Sequence, residues 1–450
     1  MSASALEANA NTPVRGVKGA DFIALGNALS ADALGLPMQQ RAASAWAASE
    51  IPTRKTEAWK YTPLKSLTAE HFKRLPVAAD ATPVDHLNAS NAIKLVFING
   101  VFDAAQSSSL ECSGVEVFRL ADANAEQLAV QGESIGQVAG KALTVFGELN
   151  SAAFSDCVVV RVAKNTELDR PVQVIHQAMG GAGSALARVF WQQEANSKAT
   201  LIEQFTGEAS AAFTNSVTEI RLADNAQCDH YRLHTEGSDQ LHIGGVYSEL
   251  NRASRLNSFY ISLGSQLQRI DVVTNFKGEG AEAVNNGVYL PRDNHLVDFH
   301  TCIEHAVPHC TSSETFRGII GDSARAVFNG RIHIHKDAQK TLAELSNKNL
   351  LTSDKAEVNT KPELEIYADD VRCAHGATIA ELDSLALHYL RTRGISAEEA
   401  RVMLSFGFIN ELIEQLGDDN VIGFLKPRIA ERFAKSPELL EHLTLGAGEL

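Results

Sequence analysis

Between residues 157 and 371 the chain is written almost entirely in short strand-like segments separated by small polar corners, and this texture restricts its fold more than any other feature. Segments at 157–162, 172–175, 199–203, 216–222, 255–261 and 268–273 are rich in β-branched or alternating apolar residues, as half-buried strands require. Corners at 194–198, 223–227, 277–281, 321–324 and 368–370 are small and polar, mostly Gly, Ala, Asn, Asp and Ser. A doubly wound α/β fold would place helical patterns of roughly 10–15 residues between such strands, and none is present. Stacked coils of a β-helix fit this pattern, and so does a β-sandwich or barrel. The corner spacing is irregular, so periodicity alone leaves both open.

The flanks read differently. Over 18–50 apolar residues recur at helical spacing (Phe22, Leu25, Leu29, Leu34, Leu36, Met38) and lead into a small-residue run at 42–48 before Pro52 breaks the pattern. The next 90 residues mix strand-like runs such as 93–98 with helical ones such as 125–130, an α/β shoulder. Beyond the strand region, Thr378-Ile-Ala-Glu381 has the form of a capping box, predicting a helix with Leu382, Leu385, Tyr389 and Leu390 on its apolar side and Gly394 at its end. Ser396-Ala-Glu-Glu399 predicts a second helix, whose stripe of Val402, Met403, Phe406, Ile409, Leu412, Ile413 and Leu416 is wider than a short cap needs. A third helix is expected over 420–434 and a fourth from Ser436. The expected organisation is therefore a disordered tail (1–17), an N-terminal helical and α/β region (18–150), a β core (151–376) and a helical C-terminal region (377–450).

With 40 Lys and Arg against 55 Asp and Glu, the net charge of −15 argues against a phosphate-binding surface, so nucleic acid is not an expected partner. The first residues lack a basic segment followed by an apolar one, and no apolar run approaches the ~18 residues of a membrane span. A soluble cytosolic protein is the expectation. The six cysteines include no CxxC, which fits neither a disulfide framework nor a zinc-finger spacing.

One segment carries the makings of a metal site. In DDVRCAHGAT at 369–378, strand alternation projects Cys373 and His375 from one face, roughly 7 Å apart at the backbone. A thiolate and an imidazole suit iron or zinc, but they are two ligands where a settled site takes about four. A buried core cysteine beside a loop histidine is the competing reading.

The strings around this segment are more specific than any short motif. TFRGIIGDSAR at 315–325, VFNGRIHIHKDAQK at 327–340, SNKNLL at 346–351, AEVNTKPELEI at 356–366 and the Cys373 segment form an ordered series, and PTRKTEAWKYTPL at 52–64 adds an N-terminal counterpart. Together they resemble the SufB/SufD family of the SUF iron–sulfur cluster assembly system, in its SufD branch, from about residue 20 onward. The resemblance implies a mainly β fold with a right-handed parallel β-helix between helical ends. It implies a non-catalytic scaffold subunit that pairs with SufB through strand edges and binds the SufC ATPase through the C-terminal helices, ATP hydrolysis belonging to SufC. Iron or a nascent cluster would be held transiently at the SufB junction by Cys373 and His375 with ligands from SufB. Flavin in the full complex and self-pairing of the isolated chain through its strand edges are further expectations. A SufB-like subunit would carry a Glu-His-Glu type sequence where Ala374, His375 and Gly376 stand, and paired N-terminal cysteines that are absent here.

Other readings are weaker. GQVAGKA at 136–142 has three residues rather than four between its glycines and no Ser or Thr after the lysine, so it fails as a phosphate loop. The segment 295–310 holds His295, His300, Cys302, His305, His309 and Cys310, read as satisfied polar positions rather than an independent zinc site. His333 and His335 alternate on a strand, as a surface pair or as residues that handle iron. A β-helix carbohydrate-active enzyme would need paired carboxylates along a groove and aromatic platforms; aromatics are only 6% of this chain.

Overall fold

The computed structural model describes residues 19–30, 33–76, 86–89, 91–108, 111–207 and 211–433. The tail expected over 1–17 and the helix expected from Ser436 lie outside the described residues.

Successive strands alternate between two walls. The first wall runs, in spatial order, β2 (Val101–Phe102), β1 (Ile93–Ile98), β6 (Val172–Gln177), β8 (Lys198–Thr206), β10 (Gln227–His234), β12 (Arg255–Ser262), β14 (Glu282–Tyr289), β16 (Thr311–Ile320), β18 (Leu342–Leu351) and β20 (Arg372–Glu381). The second runs β3 (Glu111–Cys112), β4 (Val115–Arg119), β5 (Val158–Val162), β7 (Gly183–Gln193), β9 (Ala212–Leu222), β11 (Leu241–Leu250), β13 (Leu267–Phe276), β15 (Leu296–His305), β17 (Arg325–Ile334) and β19 (Glu357–Ile366). Pairing is parallel throughout except where β2, β3 and β4 join antiparallel at one end. The chain is thus a parallel β-solenoid of about eight turns, which removes the sandwich and the barrel.

The corners explain both the fold and why its period is hard to read. Along one edge a residue with positive φ recurs at 165, 196, 225, 253, 280, 309 and 340, once every 27–31 residues. Its occupants are Asn, Asn, Asn, Ala, Gly, His and Lys. Asparagine tolerates this left-handed conformation, and here it also stacks: Asn225 Nδ2 donates to Asn196 Oδ1 at 3.0 Å, and Asn196 Nδ2 to Asn165 Oδ1 at 2.9 Å. The lining between the walls is largely apolar, including Val174, Trp191, Leu201, Ile270, Phe299 and Phe328, so each turn buries its inward face against the next.

The flanking regions cover opposite walls. The N-terminal region, with α1 (Gly19–Leu29), α2 (Pro37–Ala47), α3 (Ala125–Ser134) and α4 (Val145–Ala153), packs Phe22, Trp46, Trp59 and Phe146 on Leu186, Phe213 and Ile243 of the second wall. The 52–64 string is held there by Arg269. Its guanidinium lies 4.0 Å from the Trp59 ring, donates to Ala58 O, and pairs with Asp298 at 2.9 Å and Asp271 at 3.1 Å. Of the C-terminal helices, α6 (Ala397–Glu414) and α7 (Asp419–Phe433) lie on the first wall, and α5 (Ser384–Thr392) packs beside α6.

Two C-terminal expectations need correction. Thr378 opens no helix, because residues 372–381 are β20, paired in register with 342–351 of β18. The helix begins at Ser384, with the Asp383 side chain accepting from Leu385 N–H. A cap hydroxyl is worth about 1 kcal/mol, which a parallel ladder ten residues long outweighs. The wide stripe of α6 is spent inside the molecule: Ile409, Leu412, Ile413 and Leu416 are buried against Tyr231, Leu233, Phe259 and Ile261. Its N-terminus is as expected, with Ser396 Oγ accepting from Glu399 N–H at 3.1 Å and Glu399 Oε2 from Ser396 N–H at 2.9 Å.

Candidate functional site

At the end of the solenoid farthest from the antiparallel strands, each wall stops at a parallel strand whose outer edge is unpaired among the described residues, β19 on one side and β20 on the other. Cys373 and His375 lie on β20 in register with Ala343 and Leu345 of β18, both of which face the core. The thiol and the imidazole therefore share the inward face of the last rung. Cys373 is half-buried and packs on the core cluster, whereas His375 is exposed. Burial pushes the Cys373 thiol above its ordinary range, offset by a backbone hydrogen bond with Ala343. A bound soft cation would reverse that preference.

Behind this rung sits a buried polar cluster. Tyr289 Oη donates to Asn349 Oδ1 at 2.5 Å, Asn347 Nδ2 to Tyr289 Oη at 2.9 Å, and Thr360 Oγ1 of β19 to Asn347 Oδ1 at 2.8 Å. These bonds tie β19 to β18 across the interior and keep the last turn in shape although one side of it is unsupported.

His333 and His335 face outward at the end of β17, and they are not alone. Glu304 of β15 is in register with His333, and its Oε2 lies 2.6 Å from His333 Nδ1 and 2.9 Å from His335 Nε2. Arg331 donates to Glu304 Oε1 at 2.9 Å and to Glu365 of β19. Although burial opposes ionisation, His335, His333 and Arg331 hold the Glu304 carboxyl below its usual range. Cys302 is the reverse case: burial, reinforced by Glu304, pushes its thiol up to about 12. Glu304 escaped the sequence reading because it lies 29 residues upstream of His333, a separation that means contact only once the length of a solenoid turn is known.

The other residues of 295–310 scatter. His295 is buried near a corner, His300 pairs with Asp298 at 3.0 Å, His305 turns inward to Ser312 at 2.9 Å, and His309 occupies a positive-φ corner. The glycine-rich segment at 136–142 cradles an anion of the chain's own: Glu219 accepts from Gly136 N–H at 2.8 Å and Ala139 N–H at 3.1 Å, and pairs with buried Arg188 at 2.7 Å. Those amides are already committed to a carboxylate. Inside the solenoid, Glu203 accepts from Arg232 at 2.9 Å beside His230, while Glu236 lies against His234 and His242. None of this polar interior was foreseen, because its members alternate with apolar residues as outward-facing ones do.

Among the described residues α5 has no buried side chain. Leu385 is 73% exposed and Tyr389 54%, so these two of the apolar residues expected here face outward, whereas Leu382 packs on the first-wall cluster. Among the described residues, no helix is long and apolar enough to cross a membrane.

Comparison with known proteins agrees with this architecture. The family model for the SufBD core domain of SUF-system FeS cluster assembly matches residues 174–408, and that for the SufBD N-terminal region matches 30–174. The iron-sulfur cluster assembly protein SufD of Escherichia coli is 33% identical over 392 residues, covering 85% of this chain and 89% of that protein. An iron-sulfur cluster assembly SufBD family protein of Synechocystis is 30% identical over 425 residues, covering 89% and 92%. SufD of Bacillus subtilis is 28% identical over 282 residues, covering 61% and 63%. With its solenoid, its helical ends and both family regions in order, the chain belongs to the SufBD family of SUF-system iron–sulfur cluster assembly proteins.

Proposed function

We propose that this chain is a non-catalytic subunit of the SUF assembly machinery that pairs with SufB along the free edges of β19 and β20. Iron or a nascent cluster is its cargo, held at that junction by Cys373 and His375 together with ligands from SufB. The observation that carries the reading is the coincidence of a thiol and an imidazole with the solenoid's unpaired end. Unpaired parallel edges invite strand addition, and a chain that keeps two of them side by side is suited to a partner of like architecture. A two-ligand half-site suits transfer, because a cluster shared between chains is released when they separate.

Binding to the SufC ATPase is assigned to the C-terminal helices, and within them to α5. Exposed Leu385 and Tyr389 make a better contact surface than the stripe of α6, which is already buried. Nucleotide hydrolysis is left to SufC, in line with amides at 136 and 139 that are committed to Glu219.

The test is co-expression with SufB and SufC, followed by complex mass and by iron and sulfide content. Cys373→Ala and His375→Ala should leave the complex intact and lower its iron and sulfide. A His375→Ala complex with full loading would sink the assignment. Cys373→Ser against Cys373→Ala separates ligand from core residue: equal loss of loading at unchanged melting supports ligation. A selective cost of about 1–3 kcal/mol for the serine supports packing alone.

A further inference from the structure

We propose that Glu304, His333 and His335 form a second, independent site for a divalent first-row transition-metal ion, on the outer face of the second wall. The inference stands apart from the SufB and SufC assignments and does not involve Cys373 or His375. Parallel register sets Glu304 beside His333, and His335, the residue just past β17, reaches the same carboxylate oxygen, its Nε2 2.9 Å from Glu304 Oε2. One donor atom from each of the three residues lies within 4.8 Å of the other two, and the two ring centroids are 4.3 Å apart.

The surroundings suit ligands. Arg331 holds the other Glu304 oxygen and is itself held by Glu365, so the carboxylate is fixed from behind, as ligating carboxylates commonly are. Tyr367 meets the His333 ring edge-on at 5.5 Å and limits its rotation. Metal–ligand bonds of about 2.0–2.2 Å place neighbouring donors about 3.3 Å apart, so each histidine nitrogen has to draw back from Glu304 Oε2 by only about half an ångström. His335, with 46% of its side chain exposed, has room to do so. Two imidazoles and one carboxylate suit Fe2+ or Zn2+, and with the site facing solvent the remaining positions fall to water, which favours exchange.

A contrast sharpens the choice. His234, Glu236 and His242 are equally close together but sealed in the interior. There Arg232 Nε donates to His234 Nε2 at 3.2 Å, so that nitrogen is the unprotonated one and Nδ1 carries the proton toward Glu236. A metal at Nδ1 would turn an N–H against the guanidinium. Among the described residues, no side chain donates in this way to the second nitrogens of His333 and His335.

The experiment is titration of the chelator-treated full chain with Co2+ as spectroscopic probe, with Zn2+ in competition. One ion per chain is expected, with a visible d–d band. Glu304→Gln and His333→Ala should each weaken binding about tenfold or more, while a Cys373→Ala/His375→Ala variant binds as the parent does. His335→Gln, at an exposed position, repeats the test where folding is not at risk, and melting curves check the others. No stoichiometric ion on the parent chain, equal affinity in Glu304→Gln, or loss only in the Cys373→Ala/His375→Ala variant would each overturn the proposal.

Discussion

Replacing Glu314 with glutamine should stabilise the folded chain in alkaline solution and do almost nothing in acid. Glu314 points into the solenoid from β16 and is buried, with Oε2 accepting from Thr301 Oγ1 at 3.3 Å and Oε1 without a hydrogen-bond partner. Its register neighbour on β14, Asn285, has an equally unpartnered Oδ1. Burial pushes the Glu314 carboxyl from 4.5 up to about 8, so near neutrality the folded chain keeps it protonated, with a donor available to Asn285. Below about pH 4.5 folded and unfolded chains are both protonated there and the group costs nothing through its charge. Between that value and 8 the unfolded chain gives up the proton while the folded chain retains it. The folded state then binds more protons, and stability falls as pH rises. At about 1.4 kcal/mol per unit the loss is roughly 3 kcal/mol by pH 7 and levels off near 5 kcal/mol above pH 8. Glutamine keeps the donor and has no charge to bury. With an unfolding entropy of about 2.1 cal/mol/K per residue, 3 kcal/mol in a chain of this length is about 3–4 °C in Tm. Scanning calorimetry of parent and Glu314→Gln at pH 5, 7 and 8.5 should show a difference that opens from under about 1 °C to several degrees. A difference that does not change with pH, or a less stable variant at pH 8.5, would refute the reasoning.

Arg269→Ala should cost about 3–5 kcal/mol, because Asp298 and Asp271 lose their cation in a buried setting. Denaturant unfolding measures the loss and limited proteolysis should find 52–64 newly cleavable; an unchanged midpoint would show that Trp59 packing alone holds this string. Leu385→Glu with Tyr389→Glu should abolish co-purification with SufC while changing stability by no more than about 0.5 kcal/mol, since both side chains are exposed. Retained SufC binding would move the contact off α5.

What could be read locally was determined by the sequence. The strands at 157–162, 216–222 and 268–273 show in their own β-branched and apolar content, and the Ser396 cap needs only Glu399 three residues on. Cys373 and His375 were legible as a pair because a strand always sets alternate residues on one face. The length of a turn was not legible, since the left-handed corner accepts Asn, Ala, Gly, His or Lys. Without that length, Glu304 could not be matched to His333, nor Asn285 to Glu314. Tertiary structure also decided three matters against or beyond the local signal: Thr378 went to the ladder with β18, the α6 stripe went to the first wall, and the amides at 136 and 139 went to Glu219. The physical reason is common to all of them. A capping hydroxyl, an apolar stripe or a pair of free amides states a need that several partners can meet, and the partner is chosen by whichever surface the solenoid brings within reach.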